Sequence, residues 1–392
     1  MRHLEDNLRT TVEDLASSAP PLDGLAMIAR IRGRRIRRRR QAVLCAAVAV
    51  LAGAVITPYA VFGHRDGRQP QPAASVPSSR PAVAVPMPST TVTVPAIRKE
   101  WWRAPVRLPG GVVVTSVGRP GATAEDGTPA GRSDDRQHGN VALNRVTGRY
   151  QVYSAKYQRF AAAPAGRYVL IEDESAGGGG YVPVGVLNAA YGSWQLFTHG
   201  AGLGTEWSPD GEKIALTMQT GNLRIIVAKT GAEKDREIPG GSALCPDVCT
   251  FTWLPGGTEV ALAQRDPAVA QSEAVPDTIK EIKVFSAATG ELVRTLPVPG
   301  VPAGSGAWSP DGRYVALQPD ATQPDGIRIA EVATGRVVTT LPLGAQVRFV
   351  ADHQVLLVDG LDVRVFDLAG RVRATSRLPA DFADREISLG VE

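Results

Sequence analysis

The sequence predicts an all-β domain from residue 101 to residue 392, and three observations predict it. A decapeptide that begins with an aromatic residue occurs twice in closely similar form, as WSPDGEKIAL from Trp207 and WSPDGRYVAL from Trp308. Weaker copies begin at Leu108, Phe160, Trp253 and Phe349. After each copy comes a second pattern, in which two alternating apolar runs flank a short turn that ends in Gly, and this pattern is typical of a β-hairpin.

The spacing of the aromatic anchors indicates how these strands are arranged. From Phe160 onward the anchors follow one another at intervals of 41 to 55 residues. Repeats of this length that are built from short strands are typical of β-propellers. We therefore expect six blades of four strands each, and because several copies are degenerate, seven blades remain an alternative.

The repeated motif has the residues of a tight turn. Its Pro presets φ at the first central position, its Asp can accept hydrogen bonds from its own backbone, and its Gly accepts a positive φ. We expect the three Trp anchors to fill the core between blades rather than to stack on a ligand. The residues of this structural motif are Trp207, Pro209, Asp210, Gly211, Trp253, Gly256, Gly257, Trp308, Pro310, Asp311 and Gly312.

The repeat resembles that of the TolB-like, WD-type β-propellers, in which an aromatic residue is followed by Ser-Pro-Asp-Gly and a strand. The match is close at residues 207–216 and 308–317 and covers most of residues 101–392. The resemblance implies a propeller fold and specifies no reaction.

Closure of such a ring requires the ends of the domain to meet. We expect EISLGVE, from Glu386, to pair with strands of the first unit and remove two exposed edges.

Residues 42–62 form an apolar run of 21 residues without a charge, which is long enough for a transmembrane helix. The preceding segment is rich in Arg, and by the positive-inside rule it keeps the N-terminus in the cytoplasm. The sequence therefore predicts a single-pass protein of the cell membrane whose C-terminal domain lies outside the cytoplasm. A cleaved signal peptide is the alternative, but the run is too long for one. The topogenic residues are Arg30, Arg32, Arg34, Arg35, Arg37, Arg38, Arg39 and Arg40.

Two further segments flank the predicted membrane helix. Residues 1–41 combine a short amphipathic helix with the Arg-rich run, and they are too few to bury a core of their own. Residues 63–100 contain seven Pro and are expected to form a disordered, extended stalk. The net charge is +4 for the whole chain and +5 for residues 1–41. The excess of positive charge thus lies in the N-terminal segment, and it does not indicate a nucleic-acid partner for the folded domain.

The segments between the predicted strands differ in length according to their position in the unit. The turns after the first and third strands are short, whereas every long segment follows a second or a fourth strand. Because the strands are antiparallel, all the long segments lie on one face of the propeller, which we expect to be the interaction surface. Tolerated insertions in loops are the alternative. The long segments are 118–140, 173–180, 198–204, 239–249, 264–281 and 318–326.

One of these segments contains Cys245 and Cys249, the only cysteines outside the predicted membrane helix. Pro246 favours a turn between them, so a local disulfide is expected in an exported domain. Their spacing does not match thioredoxin-like sites, and no His is near enough in the sequence to suggest zinc.

The sequence contains no motif of a known catalytic site, and we expect no catalytic residue, cofactor or metal. His138, His199 and His353 are widely separated, so no nucleophile and base are paired locally. Acidic residues on the elaborated face could converge on a cation, although solvated loop charges are the simpler interpretation. These residues are Asp134, Asp135, Glu172, Asp173, Glu174 and Asp325.

Two classes of function follow from these patterns. The first is a non-enzymatic membrane protein whose extracytoplasmic propeller binds a protein or a cell-envelope ligand. Its layout resembles actinobacterial membrane proteins associated with extracytoplasmic-function sigma factors, which implies a cytoplasmic partner such as a sigma factor for residues 1–41. These residues lack the zinc-binding His and Cys motif of the classical anti-sigma domain. The alternative is a propeller hydrolase or lyase with a divalent metal bound by carboxylates.

Overall fold

The computed structural model describes residues 92–93, 100–118, 139–154, 157, 159–172, 184–189, 193–197, 202–218, 220–241, 250–270, 277–320, 326–383 and 385–392. The chain divides into two compact units, Met1–Thr90 and Thr91–Glu392, and every described residue belongs to the second. The predicted membrane helix, the Arg-rich run and the cytoplasmic segment lie outside the described residues. Within the described ranges, no helix has the length and apolar character that a membrane span requires.

Six sheets follow one another along the chain and form the six blades of a β-propeller. Strand β1 (Val92–Thr93) precedes them. Blade 1 contains β2 (Arg107–Leu108), β3 (Val112–Gly118), β4 (Asn140–Asn144) and β5 (Arg149–Tyr153), and blade 2 contains β6 (Arg159–Ala162), β7 (Tyr168–Glu172), β8 (Val184–Asn188) and β9 (Ser193–Phe197). Blade 3 contains β10 (Gly202–Trp207), β11 (Lys213–Met218), β12 (Leu223–Val227) and β13 (Glu233–Arg236).

The remaining three blades complete the ring. Blade 4 contains β14 (Thr252–Trp253), β15 (Glu259–Arg265), β16 (Ile279–Ser286) and β17 (Leu292–Leu296). Blade 5 contains β18 (Tyr314–Leu317), β19 (Gly326–Glu331) and β20 (Val337–Pro342), and blade 6 contains β21 (Gln346–Ala351), β22 (Gln354–Asp359), β23 (Asp362–Asp367) and β24 (Val372–Arg377). The last strand is β25 (Glu386–Val391), and short 3-10 helices occupy Trp101–Arg103, Ser305–Ala307 and Ala380–Phe382.

The structure confirms six blades rather than seven and confirms all six predicted hairpins. Blade 5 departs from the expected four strands. Its innermost strand is reduced to isolated bridges, Pro302 to Leu317 and Trp308 to Val315, on either side of the 3-10 helix Ser305–Ala307. Gly304 is the N-cap residue immediately before this helix. It has φ 104° and ψ −178°, a combination that is almost restricted to Gly. The extended strand is therefore interrupted at this position.

The predicted ring closure is confirmed. Strand β25 pairs antiparallel with β3 over its whole length, from Glu386 opposite Gly118 to Val391 opposite Val112. The chain's last strand is therefore the innermost strand of the first blade. This pairing joins residues that are 268 to 279 positions apart and leaves no open edge between blades 1 and 6.

Strand β1 lies within the segment predicted as a disordered stalk. It pairs in parallel with β24, with Val92 opposite Ala374 and Thr93 opposite Thr375. Because β24 is the outermost strand of blade 6, β1 covers the outer edge of that blade.

The hydrophobic core lies mainly between blades, since each radial sheet is apolar on both faces. Between blades 2 and 3, for example, Leu170 packs with Trp207 and Ile214. Between blades 3 and 4, Ile225 packs with Trp253. Such packing fixes the blades relative to one another and holds their innermost strands around a common axis.

Candidate functional site

The two faces of the propeller differ in the segments that they carry. The turns between first and second strands and between third and fourth strands lie on one face, which we call the compact face. The other connections leave from the opposite face, which we call the elaborated face. All the long segments identified in the sequence leave from strand ends on the elaborated face, as at Gly118 and Asn140.

The repeated turn motif lies on the compact face, and its chemistry is as predicted. In the first copy, Asp210 accepts a hydrogen bond from the Glu212 N–H at 3.0 Å, and Gly211 adopts φ 70°. The Ser208 hydroxyl accepts the Lys213 N–H at 2.9 Å. These bonds close the turn between β10 and β11, so the motif is structural.

The second copy repeats this geometry. Asp311 accepts the Arg313 N–H at 3.0 Å, the Ser309 hydroxyl accepts the Tyr314 N–H at 2.9 Å, and Gly312 adopts φ 70°. In blade 4, Gly257 adopts φ 64° and donates its N–H to the Leu254 carbonyl at 3.0 Å. The related motif at Trp253 therefore forms the same kind of turn with Gly in place of Asp.

The three Trp anchors fill the core between blades, as expected. Trp207, Trp253 and Trp308 are buried, and each indole N–H donates a hydrogen bond to the preceding blade. The acceptors are the carbonyl of Ala161 at 2.9 Å, the carbonyl of Glu206 at 3.1 Å and the hydroxyl of Thr252 at 3.2 Å, respectively. These bonds satisfy the one polar atom of each buried indole.

A polar contact crosses the propeller axis. Oε2 of Glu206, on β10 of blade 3, accepts hydrogen bonds from the Ser305 hydroxyl at 2.9 Å and from the Ser305 N–H at 3.4 Å. Ser305 belongs to blade 5, so the contact passes in front of blade 4. The Ser305 hydroxyl also accepts a hydrogen bond of 3.4 Å from the main-chain N–H of Trp253. Three blades therefore meet at this one serine.

Arg159 of blade 2 lies beside the same carboxylate. It donates one hydrogen bond to the Thr205 carbonyl at 2.9 Å and lies 3.6 Å from Glu172. Burial raises the pKa of Glu206, while the charge of Arg159 and the two Ser305 hydrogen bonds oppose that rise. The electrostatics of this carboxylate are therefore set by its burial and by groups from two other blades.

Arg348 of blade 6 approaches the axis from the opposite side of the ring. Its guanidinium donates a hydrogen bond of 3.2 Å to the Leu389 carbonyl on β25, and its aliphatic part lies against Gly306. Burial lowers the pKa of Arg348, and within the described part of the chain it forms no ion pair. We call Arg159, Glu206, Ser305 and Arg348 the axial cluster.

The axial cluster was not predicted from the sequence, although a signal for it exists. The residue immediately before an anchoring aromatic is charged in three copies, at Arg159, Glu206 and Arg348. The equivalent positions before Trp253 and Trp308 hold the uncharged Thr252 and Ala307. Positions on the inner strands that only fill the core do not need a charged side chain. The three charged residues therefore indicate that the candidate site lies at the propeller axis.

Few of the acidic and histidine residues considered from the sequence belong to the described residues. Glu172 does, and it pairs with Arg159 as described above. His353 also does, and its ring contacts that of Tyr314 on the compact face. In the described ranges, no group of three His, Cys, Asp or Glu side chains could hold a metal ion. Outside the described residues lie Asp134, Asp135, His138, Asp173, Glu174, His199, Cys245, Cys249 and Asp325.

Arg385 connects the closing strand to the elaborated face. It precedes β25 and donates hydrogen bonds to the carbonyls of Val117 at 3.2 Å and Gly118 at 3.4 Å. It also donates a hydrogen bond to the carbonyl of Gly139. Gly118 and Gly139 border the longest segment of this face, so one guanidinium holds the two ends of that segment together.

Comparison with known proteins adds little beyond the fold. No family model and no curated protein matches the chain. Among the solved structures that match is one titled "Kuenenia stuttgartiensis Hydrazine Synthase", with 14% sequence identity and a TM-score of 0.38. The match covers 59% of this chain and 71% of that chain. The assignment of six blades therefore rests on the strand pairing of this chain itself.

Proposed function

We propose that the chain is a non-enzymatic, single-pass membrane protein whose extracytoplasmic propeller binds a protein or cell-envelope ligand on its elaborated face. The observation that supports this proposal is the difference between the two faces. The compact face has short turns that are closed by hydrogen bonds, such as those at Asp210 and Asp311. The other face carries all the long segments. Variable connections on a rigid scaffold are where binding residues are commonly found.

The membrane anchor and the inward partner belong to the same proposal. Residues 42–62 would span the membrane, and the Arg-rich segment before them would hold residues 1–41 in the cytoplasm. A cytoplasmic regulator such as a sigma factor would then bind residues 1–41. Protease protection in sealed vesicles tests this orientation, because only one of the two termini should be digested from the cytoplasmic side.

Crosslinking of the full-length protein in its native membrane tests the binding proposal. We expect capture of an extracytoplasmic partner, and we expect it to be lost when residues 119–138 are replaced by a short Gly/Ser linker. The matched control is Lys229→Glu, which changes an exposed charge in a compact-face turn between β12 and β13. Equal capture by both variants, or loss of capture in the control, would contradict the assignment of the elaborated face.

A further inference from the structure

The two oxygens of the Glu206 carboxylate have different surroundings. Oε2 accepts both hydrogen bonds from Ser305. Within the described part of the chain, Oε1 accepts none, and it is not one of the fully buried polar atoms that lack a partner. Oε1 therefore has no hydrogen-bond donor among the described residues, while the Ser305 bonds to Oε2 hold the carboxylate in one orientation on an inner strand of the propeller.

Gly304 leaves space beside this free oxygen. A Cβ atom built on Gly304 would lie 3.6 Å from Oε1 of Glu206 and, apart from its two chain neighbours, would meet no other atom of the described residues within 4 Å. The backbone at this residue has φ 104°, a conformation that side chains rarely adopt. Gly at this position therefore keeps a space that any other residue would fill.

Among the described residues, the Glu206 carboxylate forms no direct ion pair. Arg159 lies near enough to influence the carboxylate, but its guanidinium is engaged with Glu172 and with the Thr205 carbonyl. Arg159 is paired with Glu172, and Arg348, the other cation of the axial cluster, donates its hydrogen bond to the Leu389 carbonyl rather than to Glu206. A partly buried carboxylate attracts a cationic hydrogen-bond donor more strongly than an exposed one does, because less water competes for it.

We propose that Glu206, Ser305 and the space beside Gly304 form a binding site for a primary ammonium group that enters the central channel. An amino sugar or a lysine side chain would supply such a group. The ammonium would donate a hydrogen bond to Oε1, while Ser305 keeps the carboxylate fixed through Oε2. This inference goes beyond the proposed interaction of the elaborated face, because the site lies on the axis and does not require a membrane anchor.

Calorimetric titration of the purified full-length protein at pH 7 tests the site with two matched pairs of probes. Glucosamine is compared with N-acetylglucosamine, and Nα-acetyl-lysine amide is compared with its Nε-acetylated form. We expect binding of at least one amine and of neither acetylated compound. Glucosamine binding alone indicates a sugar source of the ammonium, and lysine binding alone indicates a peptide source. Failure of both amines to bind, or equal binding of an acetylated probe, would overturn the proposal.

Two variants locate the binding. Glu206→Gln retains an acceptor for the Ser305 bonds but loses the charge, and we expect it to weaken amine binding about tenfold or more. Gly304→Ala fills the space and should weaken binding although Glu206 is intact. Lys229→Glu, in an exposed turn of the compact face away from the axis, is the control and should bind within about twofold of wild type. Binding that is unchanged by Glu206→Gln, or lost equally in the control, would contradict the site.

The pH dependence gives a second readout. Amine affinity should fall as the pH is lowered and Glu206 becomes protonated, because the neutral carboxyl group attracts the ammonium less strongly. Glu172, which faces Arg159 rather than the amine, is the other carboxylate in the immediate surroundings. Its variant Glu172→Gln should retain the pH dependence, and loss of that dependence would assign the effect to Glu172 instead.

Discussion

The indole N–H of Trp253 donates a hydrogen bond of 3.1 Å to the main-chain carbonyl of Glu206 in the preceding blade. Glu206 therefore serves two neighbours, since its carbonyl supports the core between blades 3 and 4 while its carboxylate reaches Ser305 of blade 5. The structural contact and the axial contact share one residue. A substitution at Trp253 can consequently change the position of the Glu206 carboxylate at the axis.

Trp253→Phe removes the indole donor and keeps most of the buried aromatic surface. We expect a loss of about 1–3 kcal/mol in the free energy of unfolding, because the Glu206 carbonyl loses its partner and some core volume is lost. Trp253→Ala should cost about 3–5 kcal/mol. Urea denaturation measures both. Equal losses for the two variants would show that the hydrogen bond, not the packing, dominates.

Gly211 and Gly312 are equivalent glycines that provide a matched pair. Both have φ 70°, but a Cβ on Gly211 would lie 2.1 Å from the Ala165 carbonyl oxygen of blade 2, whereas a Cβ on Gly312 would meet nothing within 4 Å. Gly312→Ala should cost about 1–2 kcal/mol for the backbone conformation alone. Gly211→Ala should cost about 1–3 kcal/mol more, because the turn must move away from its neighbour. Similar melting temperatures for the two variants would contradict this packing of adjacent blades.

The buried carboxylate at the axis predicts a specific pH dependence of stability. Because burial raises the pKa of Glu206, the folded protein binds that proton more tightly than the unfolded chain does. The stability from this group is full below the ordinary carboxyl pKa and is lost as the pH rises through the raised value. Glu206→Gln should therefore be at least as stable as wild type at pH 8, and this advantage should shrink at pH 4. An advantage that grows on acidification would contradict it.

Removal of β25 should destabilise the whole propeller. A chain that ends before Glu386 loses the pairing with β3 and exposes the apolar inner edge of blade 1, including the surface now covered by Ile387 and Leu389. We expect a fall of many degrees in the melting temperature. Deletion of Glu392 alone removes only its exposed ion pair with Arg107, which water screens, and should leave the melting temperature nearly unchanged. Equal melting temperatures for the two truncated chains would contradict closure by β25.

The disulfide between Cys245 and Cys249 remains a prediction from the sequence. If it forms, a thiol reagent applied to the denatured protein without reductant should modify neither cysteine, and both should react after reduction. Cys45 is the internal control, because it has no expected partner and should react in both cases. Labelling of both Cys245 and Cys249 before reduction would exclude the disulfide.

The sequence predicted those parts of the fold that depend on local chemistry. The turn at Asp210 and Gly211 and the hairpin whose turn ends at Gly335 have residues whose preferences act over a few positions. The pairing of β25 with β3 is not local, and it could be predicted only because a ring of blades must close. The inner strand of blade 5 differs because Gly304 and the following helix break an otherwise regular unit. No local sequence pattern distinguishes this interrupted strand from an ordinary loop.

The axial cluster could not be predicted in the same way. Glu206 and Ser305 are separated by 99 positions, and only the closed ring brings them together. A charged residue before an aromatic anchor is an ordinary event in a strand with one solvated face. Its meaning depends on the knowledge that these strands surround an axis, which the sequence alone does not supply.

The register of β25 on β3 also sets the order of events during biosynthesis. The partner of Val112 is Val391, so almost the whole domain must leave the ribosome before the first blade can be completed. Until then the first blade lacks its inner strand, and pairing between residues so far apart in the sequence is slow to form. A nascent chain that stops before residue 386 lacks β25, so the inner edge of its first blade stays unpaired and open to association with other strands.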